Sequence, residues 1–139
     1  MRLYLDASTI IYSIEGATPF RKAAVRWIQD AEAAEDGTLI TSRLSRLECR
    51  VKPLRERDAE LLAHYEVFFG RRDLLFVDVS GEIIEHATDI RARYNVRSAD
   101  AIHLATALHK VADAFVTGDR QLARCKELNV EVIADPQAH

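Results

Sequence analysis

Hydrophobic residues in this chain come in two patterns that take turns: short unbroken runs, and stripes at helical spacing. Arg2 to Leu5 is one such run and predicts a buried strand. Asp6-Ala7-Ser8-Thr9 then supplies capping chemistry for a short helix through Ile10, Ile11 and Ile14, broken by Gly16 to Pro19. Ala23, Ala24, Trp27, Ile28 and Ala31 predict a second helix, and Asp36-Gly37 turns the chain into a strand over Thr38 to Thr41. Ser42 is placed to cap a helix carrying Leu44, Leu47 and Glu48, expected to end before Pro53. From Glu56, the set Leu61, Leu62, Tyr65, Phe68 and Phe69 gives another amphipathic helix, stopped at Gly70. Leu74 to Val77 reads as a third strand, and Ser80 caps a helix through Ile83, Ile84, Ala87 and Ile90. Ser98 caps a helix bearing Asp100 and running to about Val111. Ala114 to Thr117 is a fourth strand, a helix follows Asp119, and Val130 to Ile133 is a fifth strand. Pro136 is expected to end the folded region, with the last residues loose. Near-continuous apolar strands alternating with helices predict a mostly parallel sheet of about five strands, covered on both faces: a three-layer α/β/α sandwich.

Composition sets limits without naming a function. The 139 residues fit one domain spanning 1–139, with 48% hydrophobic and 29% charged residues, as expected of a folded globular chain. A net charge of −3 gives no general attraction to polyanions, so any basic surface must be local. Cys49 and Cys125 have neither metal-site nor redox-motif spacing and read as buried thiols in a reducing compartment. Asp6 interrupts the first apolar run too early for an export signal, and no run approaches the roughly 20 apolar residues of a membrane span. The expectation is a cytoplasmic protein with no membrane contact.

Against this background four acids stand apart: Asp6, Glu48, Asp100 and Asp119. Asp6 ends the first strand, and Asp119 lies two residues past the fourth. At about 100° per residue, positions 100, 104, 107 and 111 form one stripe, so Asp100 starts the face that packs on the sheet. Glu48 falls roughly 40° from Leu44, at the border of its packed face. Open parallel sheets bind ligands beyond the carboxyl ends of their strands, so all four acids can reach one pocket. Carboxylates at the margin of a core repel one another and lose hydration, which demands protons, basic partners or a metal cation. With no His or Cys expected in the cluster, hard oxygen donors favour Mg²⁺ or Mn²⁺, a combination used for phosphodiester hydrolysis. Ser8 and Thr117 are natural supporting hydroxyls.

Each residue also has a plainer use. Asp6 and Asp119 can be helix caps, Asp100 can serve its own helix dipole, and Glu48 can pair with Lys52 one turn later. His103 is expected on a different face from Asp100, at the surface. Arg43, Arg46 and Arg50 share a helical face in a basic stretch with Lys52, Arg55 and Arg57, suited to RNA phosphates or to an acidic partner. Apolar faces around Trp27, Tyr65, Phe68 and Phe69 are equally explained by an interface and by core packing.

Four segments, quoted together, carry a resemblance: Leu3-Tyr4-Leu5-Asp6-Ala7-Ser8, Ser45-Arg46-Leu47-Glu48-Cys49-Arg50, Ser98-Ala99-Asp100-Ala101-Ile102-His103-Leu104-Ala105, and Phe115-Val116-Thr117-Gly118-Asp119-Arg120-Gln121-Leu122. In order and spacing they resemble the PIN-domain ribonucleases, in particular the VapC-type toxins of bacterial toxin–antitoxin pairs. The resemblance spans nearly the whole chain. It implies an α/β/α fold, Mg²⁺- or Mn²⁺-dependent RNA cleavage, homodimerisation, and inhibition by a cognate antitoxin. It also maps the family's acidic metal site onto Asp6, Glu48, Asp100 and Asp119, with Ser8 and Thr117 in support. Relatives often carry a further acid shortly after the last motif aspartate, where this chain has Arg120-Gln121; whether one or two ions are held stays open at this point.

Two other readings stand beside this one. A phospho-acceptor or phosphotransfer protein needs a lysine at the cluster or an Asp-x-Asp pair, and Asp6-Ala7-Ser8 lacks the second acid. A PIN-fold protein that binds without cleaving would carry the same four acids.

Overall fold

Alternation along the strands builds the layers. A computed structural model describes residues 1–133 as β1 (Arg2–Leu5), α1 (Ala7–Glu15), α2 (Thr18–Ala33), β2 (Thr38–Ser42), α3 (Arg43–Arg55), α4 (Ala59–Phe69), β3 (Leu74–Val77), α5 (Gly81–Tyr94), α6 (Ser98–His109), β4 (Ala114–Thr117), a 3₁₀ turn (Arg120–Arg124) and β5 (Val130–Val132). Leu3, Leu5, Leu39, Ala114 and Val116 face one side, where they meet Ile10, Ala24, Ile28, Tyr65 and Phe68. Tyr4, Ile40 and Phe115 face the other side, against Ile83, Ala87, Ile90, Leu104 and Ala107. Successive strand residues therefore feed two separate cores, one under α1, α2 and α4 and one under α5 and α6.

The strand order is β3-β2-β1-β4-β5, and every neighbouring pair is parallel. From β1 the chain moves outward to β2 and β3, then returns past β1 to place β4 on its other side. The order reverses between β1 and β4, which opens a crevice at their carboxyl ends. Leu5 pairs with Val116 in that register, so the next residues of both strands, Asp6 and Thr117, emerge at this crevice.

Ser42 and Ser80 cap α3 and α5 as expected, through Leu44 N–H and Ile83 N–H. Three details differ from expectation. α3 continues through Pro53, which lies in its final turns and is buried, so the missing N–H removes only one late hydrogen bond. α6 begins at Ser98 itself, with Arg97 in the cap position and no side-chain cap bond. Its packed stripe stops at Ala107, because the helix ends at His109 and Val111 sits at φ 53 with its side chain 73% exposed.

Tyr65, Phe68 and Phe69 belong to the core and not to an exposed face. The large apolar residues that do reach solvent include Leu47, Leu54 and Val67. Cys49 and Cys125 are both buried and free, and burial pushes each thiol up from its ordinary value. No helix among the described residues is long and apolar enough to cross a membrane. Pro136 and the tail lie outside the described residues.

Candidate active site

Asp6 leaves β1 at the crevice with its side chain buried and every oxygen engaged. Its Oδ1 caps α1 by accepting from Thr9 N–H at 3.1 Å and also accepts from Ser8 Oγ at 2.6 Å. Its Oδ2 accepts from Thr117 Oγ1 at 2.5 Å. Thr9 Oγ1 lies 3.2 Å from the same carboxylate but 2.7 Å from Val116 O, and its single hydrogen goes to the nearer acceptor. Ser8 and Thr117 each do double duty. Ser8 Oγ accepts from Gly118 N–H at 2.9 Å, and Thr117 Oγ1 accepts from Asp119 N–H at 3.1 Å. The two hydroxyls thus tie the end of β1 to the loop after β4. Gly118 is needed here for space, since a Cβ would sit 2.5 Å from the Tyr12 ring.

Asp119 caps the 3₁₀ turn through Gln121 N–H at 2.9 Å. The capping uses foreseen for Asp6 and Asp119 are therefore real, and each coexists with a place at the crevice. Asp100, third residue of α6, is buried and accepts from Arg97 Nε at 3.0 Å. Burial pushes the Asp100 carboxyl above its ordinary value; Arg97 opposes the shift and the charge of Asp119 adds to it. The upward direction means that lost hydration outweighs the ion pair. Arg97 is raised in turn by Asp100 first, and also by Asp119 and Glu48. One exposed guanidinium therefore stands among three of the four acids.

Glu48 does not pair with Lys52, which bonds instead to Glu15 Oε1 at 2.7 Å. Its Oε1 meets His103 Nε2 at 2.7 Å, and His103 Nδ1 meets the Tyr4 hydroxyl at 2.7 Å. His103 is only 2% exposed, so the expectation of a surface residue was wrong. Three helical positions rotate a side chain by about 300°, which leaves it roughly 60° from Asp100 and inside a broad buried sector. The acid cluster thus has an imidazole behind it that the acidic motifs alone did not announce.

The arginines of α3 are less free than their sequence suggests. Arg43 pairs with Asp78 and lies over the Phe76 ring at 4.5 Å, while Arg46 and Arg50 share Glu66 at 3.0 and 3.7 Å. Three cations facing two acids leave one net positive charge on this face. Arg50 Nε is buried without a hydrogen-bond partner among the described residues.

A family model described as "PIN domain" matches residues 3–128. The chain belongs to the PIN-domain family. No curated protein matches it. Among solved structures it is similar to VapBC2 of Rickettsia felis, crystallised with a promoter DNA fragment (TM-score 0.74, 16% identity, 95% of this chain and 98% of that chain covered). It is also similar to a toxin–antitoxin complex from Klebsiella pneumoniae (0.73, 17% identity, 96% and 98% covered). A third is VapC20 of Mycobacterium tuberculosis, described as a toxin that cleaves the Sarcin-Ricin loop (0.72, 14% identity, 89% and 95% covered). At these identities the likeness is one of fold.

Does this PIN domain offer a fit for a metal ion? Among the described residues, no three His, Cys, Asp or Glu side chains stand close enough together to hold one as they are. The donor chemistry does fit a hard dication. The candidate ligands are carboxylates, and Asp100 carries a charge that burial and Asp119 both disfavour. Arg97, Tyr4 and His103 escaped the sequence reading. A signal for two of them existed: a tyrosine inside an apolar strand and a histidine on a packed helix both need buried polar partners.

Proposed function

We propose that this PIN domain is a metal-dependent endoribonuclease and the toxin of a toxin–antitoxin pair, acting on RNA phosphodiester bonds. The observation that carries the reading is Asp6 at the sheet's switch point, together with Asp100 disfavoured as an anion by burial and by the charge of Asp119. Asp6, Glu48, Asp100 and Asp119 would hold Mg²⁺ or Mn²⁺. A bound dication supplies an acidified water and offsets charge on the phosphate oxygens. The chain's own residues do the rest. Ser8 and Thr117 fix the Asp6 carboxylate by donating to both of its oxygens. Arg97 balances Asp100 while the cluster carries no other cation. Arg43, Arg46 and Arg50 supply a local positive surface in a chain of net charge −3.

The toxin assignment and an antitoxin partner are supported by similarity to the VapBC2 and Klebsiella pneumoniae structures, and RNA as substrate by the description of VapC20; a homodimer is what the resemblance to the VapC-type toxins implies. The test is cleavage of RNA by the purified protein. Activity with Mg²⁺ that disappears with a chelator and returns with Mn²⁺ is expected; cleavage indifferent to chelation would contradict the proposal. One observation favours a second reading, a PIN-fold binding protein without catalysis: among the described residues no three ligands are preassembled. Under that reading RNA stays intact in every metal.

Neutralising Arg43, Arg46 and Arg50 together is expected to weaken binding to single-stranded RNA. It should also flatten the slope of log affinity against log salt by up to about 2. A filter-binding salt series checks this, and an unchanged slope would remove the patch from the RNA surface.

A further inference from the structure

We propose that His103 is a positioning residue for Glu48, held in the required tautomer by Tyr4. The inference rests on the reading of Glu48 as part of a cation-binding cluster. Three elements contribute one residue each: Tyr4 from β1, His103 from α6 and Glu48 from α3. Tyr4 and His103 lie in the core beneath α5 and α6, where an imidazole without partners would be costly. Both ring nitrogens are instead engaged at 2.7 Å.

The direction of these bonds follows from the Glu48 end. An ionised carboxylate only accepts, so Nε2 carries the hydrogen and donates to Oε1. In the neutral ring Nδ1 is then the acceptor, and the Tyr4 hydroxyl donates to it. Tyr4 itself has little freedom. Its ring stacks on Phe115 at 5.0 Å and 8°, and meets the His103 ring edge-on at 5.8 Å and 69°.

A rigid donor thus grips one oxygen of a flexible side chain at the pocket margin. Glu48 Oε2 makes no hydrogen bond among the described residues, which leaves it available to a ligand. Without His103 the carboxylate could turn toward Arg97, which already feels its charge. Fixing Glu48 in advance removes an ordering cost from cation binding, the usual action of groups behind a metal ligand.

The test pairs two substitutions that separate the two nitrogens. Glutamine places an amide near the Nε2 position and can still donate to Glu48, whereas asparagine reaches only the Nδ1 position. Calorimetric titration with Mn²⁺ should show His103→Asn binding about 10- to 100-fold more weakly, with His103→Gln recovering most of the loss. A purely structural role would lower the unfolding temperature of both variants and leave Mn²⁺ affinity alone. Long-range ¹H–¹⁵N spectra of the unsubstituted protein should show a protonated Nε2 and a bare Nδ1, a readout that survives if a variant fails to fold. A proton on Nδ1 overturns the inference. So does a His103→Asn variant that matches wild-type Mn²⁺ affinity, and this leaves the metal reading standing. Wild-type protein that binds no Mn²⁺ overturns both.

Discussion

Replacing Asp100 by Asn is expected to remove most RNA cleavage while making the metal-free protein more stable. The two effects have one cause. Asp100 is 8% exposed, and burial together with the charge of Asp119 raises its carboxyl despite the Arg97 pair. Its pKa in the folded protein therefore lies above the unfolded value, so the folded state holds the proton more tightly. Across the window between those two values stability falls as pH rises, and above it the full penalty is in place. Asparagine removes the penalty and keeps the shape. The substitution also removes a candidate cation ligand, for which a loss on the order of a hundredfold or more in turnover is expected by analogy with other preorganised electrostatic groups. Thermal unfolding at neutral and at acidic pH checks the stability half. The gain should shrink as pH falls toward the ordinary carboxylate range, and a variant less stable at neutral pH would contradict the argument.

Asp6→Asn should cost comparable turnover but act on stability in the opposite direction. The Asp6 carboxylate accepts from Ser8, Thr9 N–H and Thr117 at 2.6, 3.1 and 2.5 Å, and the site offers donors on both sides. An asparagine must present its NH₂ to one of those sides, where hydroxyls have to turn and one donor goes unmatched. A loss of about 1–3 kcal/mol is expected, measurable as a lower denaturant midpoint with an unchanged slope. The contrast between the two aspartates separates ligand from scaffold. Asp100 is a charge the fold tolerates, and Asp6 is a charge around which the ends of β1 and β4 are built. If both variants lost stability alike, the difference drawn between their surroundings would be mistaken.

Much of this arrangement could be read before the structure. Strands β1, β3 and β4 fall where unbroken apolar runs predicted them; β1 and β4 lie inside the sheet and are covered on both faces, which calls for such runs, while β3 is an edge strand with Leu75 reaching solvent. Asp6 and Asp119 were legible because Asp6 follows such a run directly and Asp119 lies two residues past another. α3 was harder: local proline chemistry argued for an early stop, and packing of the buried Pro53 ring carried the helix past it. His103 was misread for a related reason. A helical wheel with one narrow stripe suits a surface helix, but α6 is buried from Ala101 through Ala107 with little interruption. Partners such as Tyr4, ninety-nine positions away from His103, are set by tertiary packing and leave no local trace. The arginine patch was legible as charge and not as pairing, since Glu66 and Asp78 come from other elements.

Anomalous diffraction from crystals soaked in Mn²⁺ addresses the heart of the proposal most directly. We expect a peak at the carboxyl ends of β1 and β4, with oxygens of Asp6 and Asp100 at roughly 2 Å and Arg97 turned away. A soaked crystal in which Arg97 keeps its bond to Asp100, and manganese is found nowhere near these carboxylates, would contradict it.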